Sequence, residues 1–251
     1  MVKHFIVMAS AYSIGKRIAL DYFEEDILQM DIIKKDIDYI LEKCGKQVPI
    51  STHFIQTELS GWDQVVKLDK FFEKVELIDT KEKFVEILLK DRTLKGIDVA
   101  KYILTKVPCT HLKLEKLVYM CYADYLCETQ SKLFEDKIFA YRLGPVIESV
   151  YEKYKKSGLD CLEVEDDTFM YDETTKKMPS RSRILSAEDG LKKLISIDKT
   201  LEKYSKYSAS ELVDMTHQTD TPWSQAGAGS MAYKIIEDDL IMKYHQYEQV
   251  D

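Results

Sequence analysis

Residues 111–126 read HLKLEKLVYMCYADYL, residues 139–158 read FAYRLGPVIESVYEKYKKSG, and residues 216–226 read THQTDTPWSQA. In the first stretch Leu114, Leu117, Val118, Cys121 and Tyr125 recur three or four places apart. That is the spacing of a helix burying one broad face, with Tyr119 and Tyr122 on its flanks. In the second, residues 138–141 have the length of a short strand, and Gly144-Pro145 turns it into a helix over 146–156 that Gly158 stops. Pro145 suits the first turn of that helix, where the missing N–H has no intrahelical partner to lose, and Gly144 permits a tight backbone. The third stretch is a turn carrying Trp223, one of two tryptophans in the chain.

Further helices are expected at 97–105, 187–197, 208–216 and 231–244, with Ser186 and Ser208 in cap positions and Asp189 and Glu211 three residues later. Residues 163–171 alternate weakly and lead into ETTKKMPSR, a hairpin or loop. Upstream, the chain alternates between element types. Residues 5–8 read as strand, 19–43 as an amphipathic helix ended by Gly45, 53–57 as strand, 62–72 as helix and 75–78 as strand. Asp79 then reads as the N-cap of a helix over 80–90, with Glu82 completing a capping box. The alternation indicates a small α/β unit over residues 1–92, bounded by the polar tract DRTLKG at 91–96. The fold class is therefore α+β: this unit, then a mainly α-helical domain over 97–251 with a short β element.

Composition narrows the function. The chain of 251 residues is 45% hydrophobic and carries only nine Gly and five Pro, which favours helices over a turn-rich β architecture. A formal charge of −8 opposes binding to nucleic acid, where Lys and Arg must neutralise phosphates, and shifts the expectation to protein partners. Five cysteines form no CxxC pair and five histidines no close pair, so no metal is expected and the thiols read as reduced. The amino-terminal apolar run is too short for export and no run of eighteen apolar residues exists. A cytoplasmic protein, off the membrane and without a cofactor, is the expectation.

Three stretches invite a chemical reading and fail it. SAYSIGKR at 10–17 has the Gly15-Lys16 of a phosphate-binding loop, but Ser10 replaces its first Gly and Arg17 its Ser/Thr. An ordinary turn into a helix, with Lys16 and Arg17 in solvent, is expected instead. Asp214, His217, Asp220 and Ser224 suggest a hydrolase triad, yet no G-x-S-x-G elbow accompanies them, and Asp214 and His217 share one helical face. No helix-turn-helix is legible either, since the helix expected over 19–43 carries Asp21, Glu24, Glu25, Asp26 and Asp31.

DVAKYIL (98–104), KLEKLVY (113–119), AYRLGPVIESVYEKY (140–154) and THQTDTPW (216–223) follow one another in the order, and at separations, similar to the Panacea (SocA-like antitoxin) family. The resemblance covers about residues 97–230. It departs at Leu143, where the family commonly has an aromatic ring; here the ring stands at Tyr141. The resemblance implies a bacterial or prophage toxin–antitoxin protein without catalytic residues, which binds a protein toxin directly or presents it to a protease. A phage-encoded inhibitor on the same scaffold is the alternative, followed by an enzyme acting on a nucleotide through the N-terminal unit. The expected partner-binding residues are Tyr119, Tyr122, Tyr141, Arg142, Gly144, Pro145, His217 and Trp223, with the rings as desolvated anchors and Arg142 as a charged contact.

Overall fold

The computed structural model describes residues 1–12, 14–163, 180–227 and 234–249. These divide into two compact units: Met1–Thr93 with Ser186–Glu188, and the remaining residues from Leu94 onward.

The N-terminal unit is built on a hairpin. Strand β1 (Val2–Ala11) pairs antiparallel with β2 (Lys16–Glu24), from Lys3↔Glu24 to Ala11↔Lys16. After helix α1 (Met30–Cys44), strand β3 (Ile50–Thr57) pairs antiparallel with the other side of β1. Helix α2 (Trp62–Leu68) and a 3₁₀ turn lead to β4 (Val75–Leu77), parallel to β2, and then to α3 (Lys81–Lys90). The sheet order β3-β1-β2-β4 explains why Ile6-Val7-Met8-Ala9 is continuously apolar: β1 is central and covered on both faces. Val7 and Ala9, with Ile18 and Leu20, pack on Ile40, Cys44, Phe84 and Leu88. Ile6 and Met8, with Ala19 and Val75, pack on Val65 and Phe72. His4 ties three strands together, its Nδ1 lying 2.9 Å from an Asp21 carboxylate oxygen and its Nε2 3.1 Å from the Thr57 hydroxyl.

Two expectations for this unit change. The helix expected over 19–43 starts only at Met30, because residues 16–24 are strand. Leu20, Phe23 and Ile27 fit a helical wheel, but Ile18, Ala19 and Leu20 are consecutively buried, as in a strand covered on both faces. SAYSIGKR accordingly turns into a strand: the Gly15 amide, at φ +63°, donates to the Tyr12 carbonyl at 3.1 Å. The α3 cap is Thr80, whose hydroxyl accepts the Lys83 amide at 3.3 Å, one residue beyond the expected Asp79.

The second unit gathers around one helix. Helix α4 (Gly96–Leu104) precedes α5 (His111–Thr129), then β5 (Ile138–Tyr141), β6 (Gly144–Ile147) and α6 (Glu148–Tyr154). Helices α7 (Ser180–Ser186), α8 (Gly190–Tyr204), α9 (Ala209–Thr216) and α10 (Pro222–Gln225) follow. The chain continues through β7 (Lys234–Ile235) and α11 (Asp238–Tyr244) to a 3₁₀ turn, His245–Tyr247. Strand β5 pairs antiparallel with β6 and with β7.

Every residue of α5 from Leu114 to Ala123 is buried, so this helix is covered all round rather than on the one face its spacing suggested. Gly144-Pro145 belongs to strand β6 and not to a helical first turn; α6 starts at Glu148. Pro145 stands opposite Ala140 on β6, which among the described residues is an edge strand paired with β5, a position that tolerates a missing N–H donor. Ser186 ends α7 instead of capping α8, and residues 234–235 are strand where a helix over 231–244 was expected. Of residues 163–171 and ETTKKMPSR, all but Glu163, Ser180 and Arg181 lie outside the described residues. The Ser208 cap is as read: its hydroxyl accepts the Glu211 amide at 3.2 Å, and the Glu211 carboxylate accepts the Ser208 amide at 2.8 Å. Ser208→Ala is expected to lower unfolding free energy by about 1 kcal/mol in urea titration. Taken by class, the architecture is α+β.

Candidate partner-binding site

Strands β5 and β6 close through a two-residue turn, Arg142-Leu143, with Tyr141 opposite Gly144. Both turn residues are exposed, whereas Gly144 and Pro145 are buried. Gly144 sits at φ +103°, a backbone conformation that side-chain-bearing residues rarely adopt.

The THQTDTPW segment holds this turn by its main chain. The Trp223 indole N–H donates to the Tyr141 carbonyl at 2.8 Å. His217 places Nε2 3.2 Å from the Arg142 carbonyl and Nδ1 2.7 Å from the Val213 carbonyl. The two rings stack edge-on with centroids 3.7 Å apart. Beneath them the buried Thr221 hydroxyl donates to the Thr216 carbonyl at 2.7 Å and caps α10, whose first residue is Pro222. The His217 ring is thus engaged by main-chain carbonyls, and the Ser224 hydroxyl donates to the Thr221 carbonyl at 2.9 Å, which is no arrangement for a hydrolase triad.

The KLEKLVY segment holds β6 from the other side. The Lys116 ammonium, fully buried, donates to the Pro145 carbonyl at 2.5 Å, and the Glu115 carboxylate accepts the Ile147 amide at 3.1 Å. Burial pushes the Lys116 ammonium down to about 8, against the pull of Glu115 and Glu248. The motifs therefore build a hairpin whose position is fixed by hydrogen bonds to its backbone.

Tyr119 and Tyr122 are not part of that surface. Both are buried in the unit, because a helix enclosed on all sides has no flank left for them. The Tyr119 hydroxyl donates to Glu248 at 2.5 Å and the Tyr122 hydroxyl to Asp238 at 2.7 Å. Glu248 also accepts from His245 Nδ1 at 2.8 Å, and His245 Nε2 reaches Asp124 at 2.7 Å. The two tyrosines fasten the C-terminal segment to α5 and are not exposed at the surface.

What remains together is Tyr141, Arg142, His217 and Trp223, with Gly144 and Pro145 beneath. Leu143 and Tyr151 extend this surface: Leu143 is 46% exposed, and the Tyr151 ring lies 5.4 Å from Tyr141 and 5.3 Å from His111. Reading Leu143 as a departure from the motif hid its place at the tip. Around the Gly15-Lys16 turn, the Tyr12 amide donates to Asp91 at 2.5 Å, Lys16 pairs with Glu76 at 2.9 Å and Arg17 donates to the Phe71 carbonyl at 2.7 Å. Those bonds occupy the groups a phosphate would use. Among the described residues no group of three or more His, Cys, Asp or Glu could hold a metal ion, and no helix is long and apolar enough to cross a membrane.

No curated protein and no solved structure matches the chain. A family model does match, over residues 114–224, a span running from α5 through the hairpin to α10. It begins inside α5 and so leaves out DVAKYIL at 98–104. Its description is antitoxin SocA-like, Panacea domain, and residues 114–224 of this chain are similar to that domain.

Proposed function

We propose that this protein neutralises a protein toxin by binding it, non-covalently and without a cofactor, through the surface around the Arg142-Leu143 turn. The Panacea domain supports an antitoxin-type role, a protein partner and a non-enzymatic mode of action. The observation that carries the choice of surface is the way Trp223 and His217 hold the carbonyls of Tyr141 and Arg142. Bonds to the backbone fix the loop while Arg142 and Leu143 point into solvent, so the contact residues lose little freedom on binding. Arg beside an apolar side chain, with Tyr141, Tyr151 and Trp223 close by, is the composition of a binding hot spot.

The test is rescue by co-expression with the toxic product of the adjacent gene, followed by affinity measurement on the purified pair. Arg142→Glu with Leu143→Asp is expected to abolish rescue and weaken binding by at least roughly thirtyfold, about 2 kcal/mol. Its melting temperature should stay at the wild-type value, since both side chains are exposed. Full rescue by this variant would move the toxin to another surface. Binding without inhibition of the isolated toxin would favour delivery to a protease over occlusion.

A further inference from the structure

The N-terminal unit has an exposed apolar patch that its own fold leaves uncovered. Phe23 is 51% exposed, Ile27 82%, Met30 51% and Ile32 49%, four large apolar side chains within ten residues. Soluble proteins seldom leave such a run uncovered without a use for it. The inner face of α1 is satisfied by Ile33, Ile40 and Cys44, which are buried, so Met30 and Ile32 are surplus to the core. Phe23, Leu28, Ile32 and Ile33 line a groove of about 280 Å³ at the junction of β2 and α1, with Asp21 and Glu24 at its wall.

The charge around this groove is mainly negative, with Lys3 standing opposite Glu24. Residues 21–33 contain Asp21, Glu24, Glu25, Asp26 and Asp31 and neither Lys nor Arg. Asp21 is engaged by His4, while the other four carboxylates are exposed. Lys34 and Lys35 follow further along α1, and the Lys3 ammonium is directed at the Asp26 main-chain carbonyl at 2.6 Å. A second copy would set these carboxylates against themselves, and nucleic acid or an anionic membrane would meet the same repulsion. An apolar anchor flanked by cations meets complementary chemistry at the apolar groove and at its four exposed carboxylates.

We propose that this groove is a docking surface for a protein segment that inserts an apolar side chain and presents Lys or Arg to the rim. It is independent of the Arg142-Leu143 turn, and the two fail separately in the following test. Fluorescence anisotropy at physiological salt would compare a short amphipathic Lys/Leu peptide with its Glu/Leu and Lys/Ser counterparts. The wild-type chain is expected to bind the Lys/Leu peptide at least about tenfold more tightly than either counterpart. Phe23→Ser with Ile32→Ser, and separately Glu24→Lys with Asp31→Lys, should each remove that preference, whereas Arg142→Glu should leave it intact. Equal binding of the Lys/Ser peptide, or an unchanged Phe23→Ser/Ile32→Ser variant, would mean that only net charge is being sensed and would overturn the proposal. So would light scattering that shows a wild-type dimer dispersed by the same apolar substitutions. Because all four substituted side chains are exposed, unaltered melting is expected for both variants.

Discussion

Replacing His245 by Ala is expected to lower the unfolding free energy at pH 7 by about 3–5 kcal/mol, measured by urea titration. Total stability of a domain is typically about 5–15 kcal/mol, so this single change approaches the limit of what the fold tolerates. The reason is the position of the ring: His245 is 1% exposed and lies between two carboxylates, Asp124 at 2.7 Å and Glu248 at 2.8 Å. Removing it leaves like charges facing one another across a buried void, each stripped of its strongest donor. Tyr119 and Thr200 would still donate to Glu248 and Asp124, but hydroxyls do not neutralise charge.

The same ring sets a pH dependence. Burial alone would push the His245 imidazole down, yet the hydrogen bonds to Asp124 and Glu248 outweigh it and hold the ring at about 9. A value raised above the unfolded 6.5 means that the stabilisation is fully present below pH 6.5 and is lost as pH rises through 9. Lys116, held near 8, has the opposite sign: its burial penalty is complete below pH 8 and fades as pH rises towards 10.5. Burial also raises the Glu248 carboxyl, so ionising it costs stability as pH climbs out of the acid range. Between pH 6.5 and 8 His245 therefore acts without opposition from Lys116, and wild-type stability should fall by about 2 kcal/mol across that window. Between 8 and 9 the two slopes offset. In His245→Ala the fall between pH 6.5 and 8 should disappear; its persistence would assign the slope to another group.

How far the sequence carried these conclusions depended on the range of the interactions. The α5 helix, the Ser208 cap and the β5 strand announce themselves by local spacing, and the segments around Gly144 and THQTDTPW stood out as motifs, although Gly144-Pro145 read as the start of a helix and not as a second strand. The errors share a cause. Leu20 and Phe23 fit helical spacing, and pairing with β1 placed both in a strand. Val146-Ile147 would continue into the helix that follows but instead extends along β5, and Lys234 and Ile235 pair with Ala140 and Phe139, far upstream in the chain. Tyr119 and Tyr122 were expected at a surface because their partners, Glu248 and Asp238, lie 129 and 116 residues away. No periodicity encodes a contact at that distance, although a His and a Glu three residues apart near the end of the chain, facing a helix rich in tyrosine, was the available hint.

Gly144→Ala is expected to cost about 2–4 kcal/mol, from backbone strain combined with steric conflict. At φ +103° any L side chain is strained, and the added methyl would stand 2.8 Å from Thr216 Oγ1 and 3.0 Å from Lys116 Nζ. A lysine terminus can usually swing aside, but this one is fully buried and bonded to the Pro145 carbonyl. Thr216 is short, buried and donates its hydroxyl to the Val213 carbonyl at 2.9 Å. The strain has one easy outlet, which is to lift the β5–β6 turn away from α5. That movement would break the bond from the Trp223 indole to the Tyr141 carbonyl and open the ring to water. In a Trp62→Phe background, where Trp223 is the one remaining tryptophan, its emission should shift to the red in Gly144→Ala under conditions where far-ultraviolet circular dichroism is unchanged. Toxin binding should fall together with that shift, although no side chain at the tip has been altered. An unshifted emission with binding lost would separate the position of the turn from recognition, and an unshifted emission with binding intact would remove Gly144 from the site altogether.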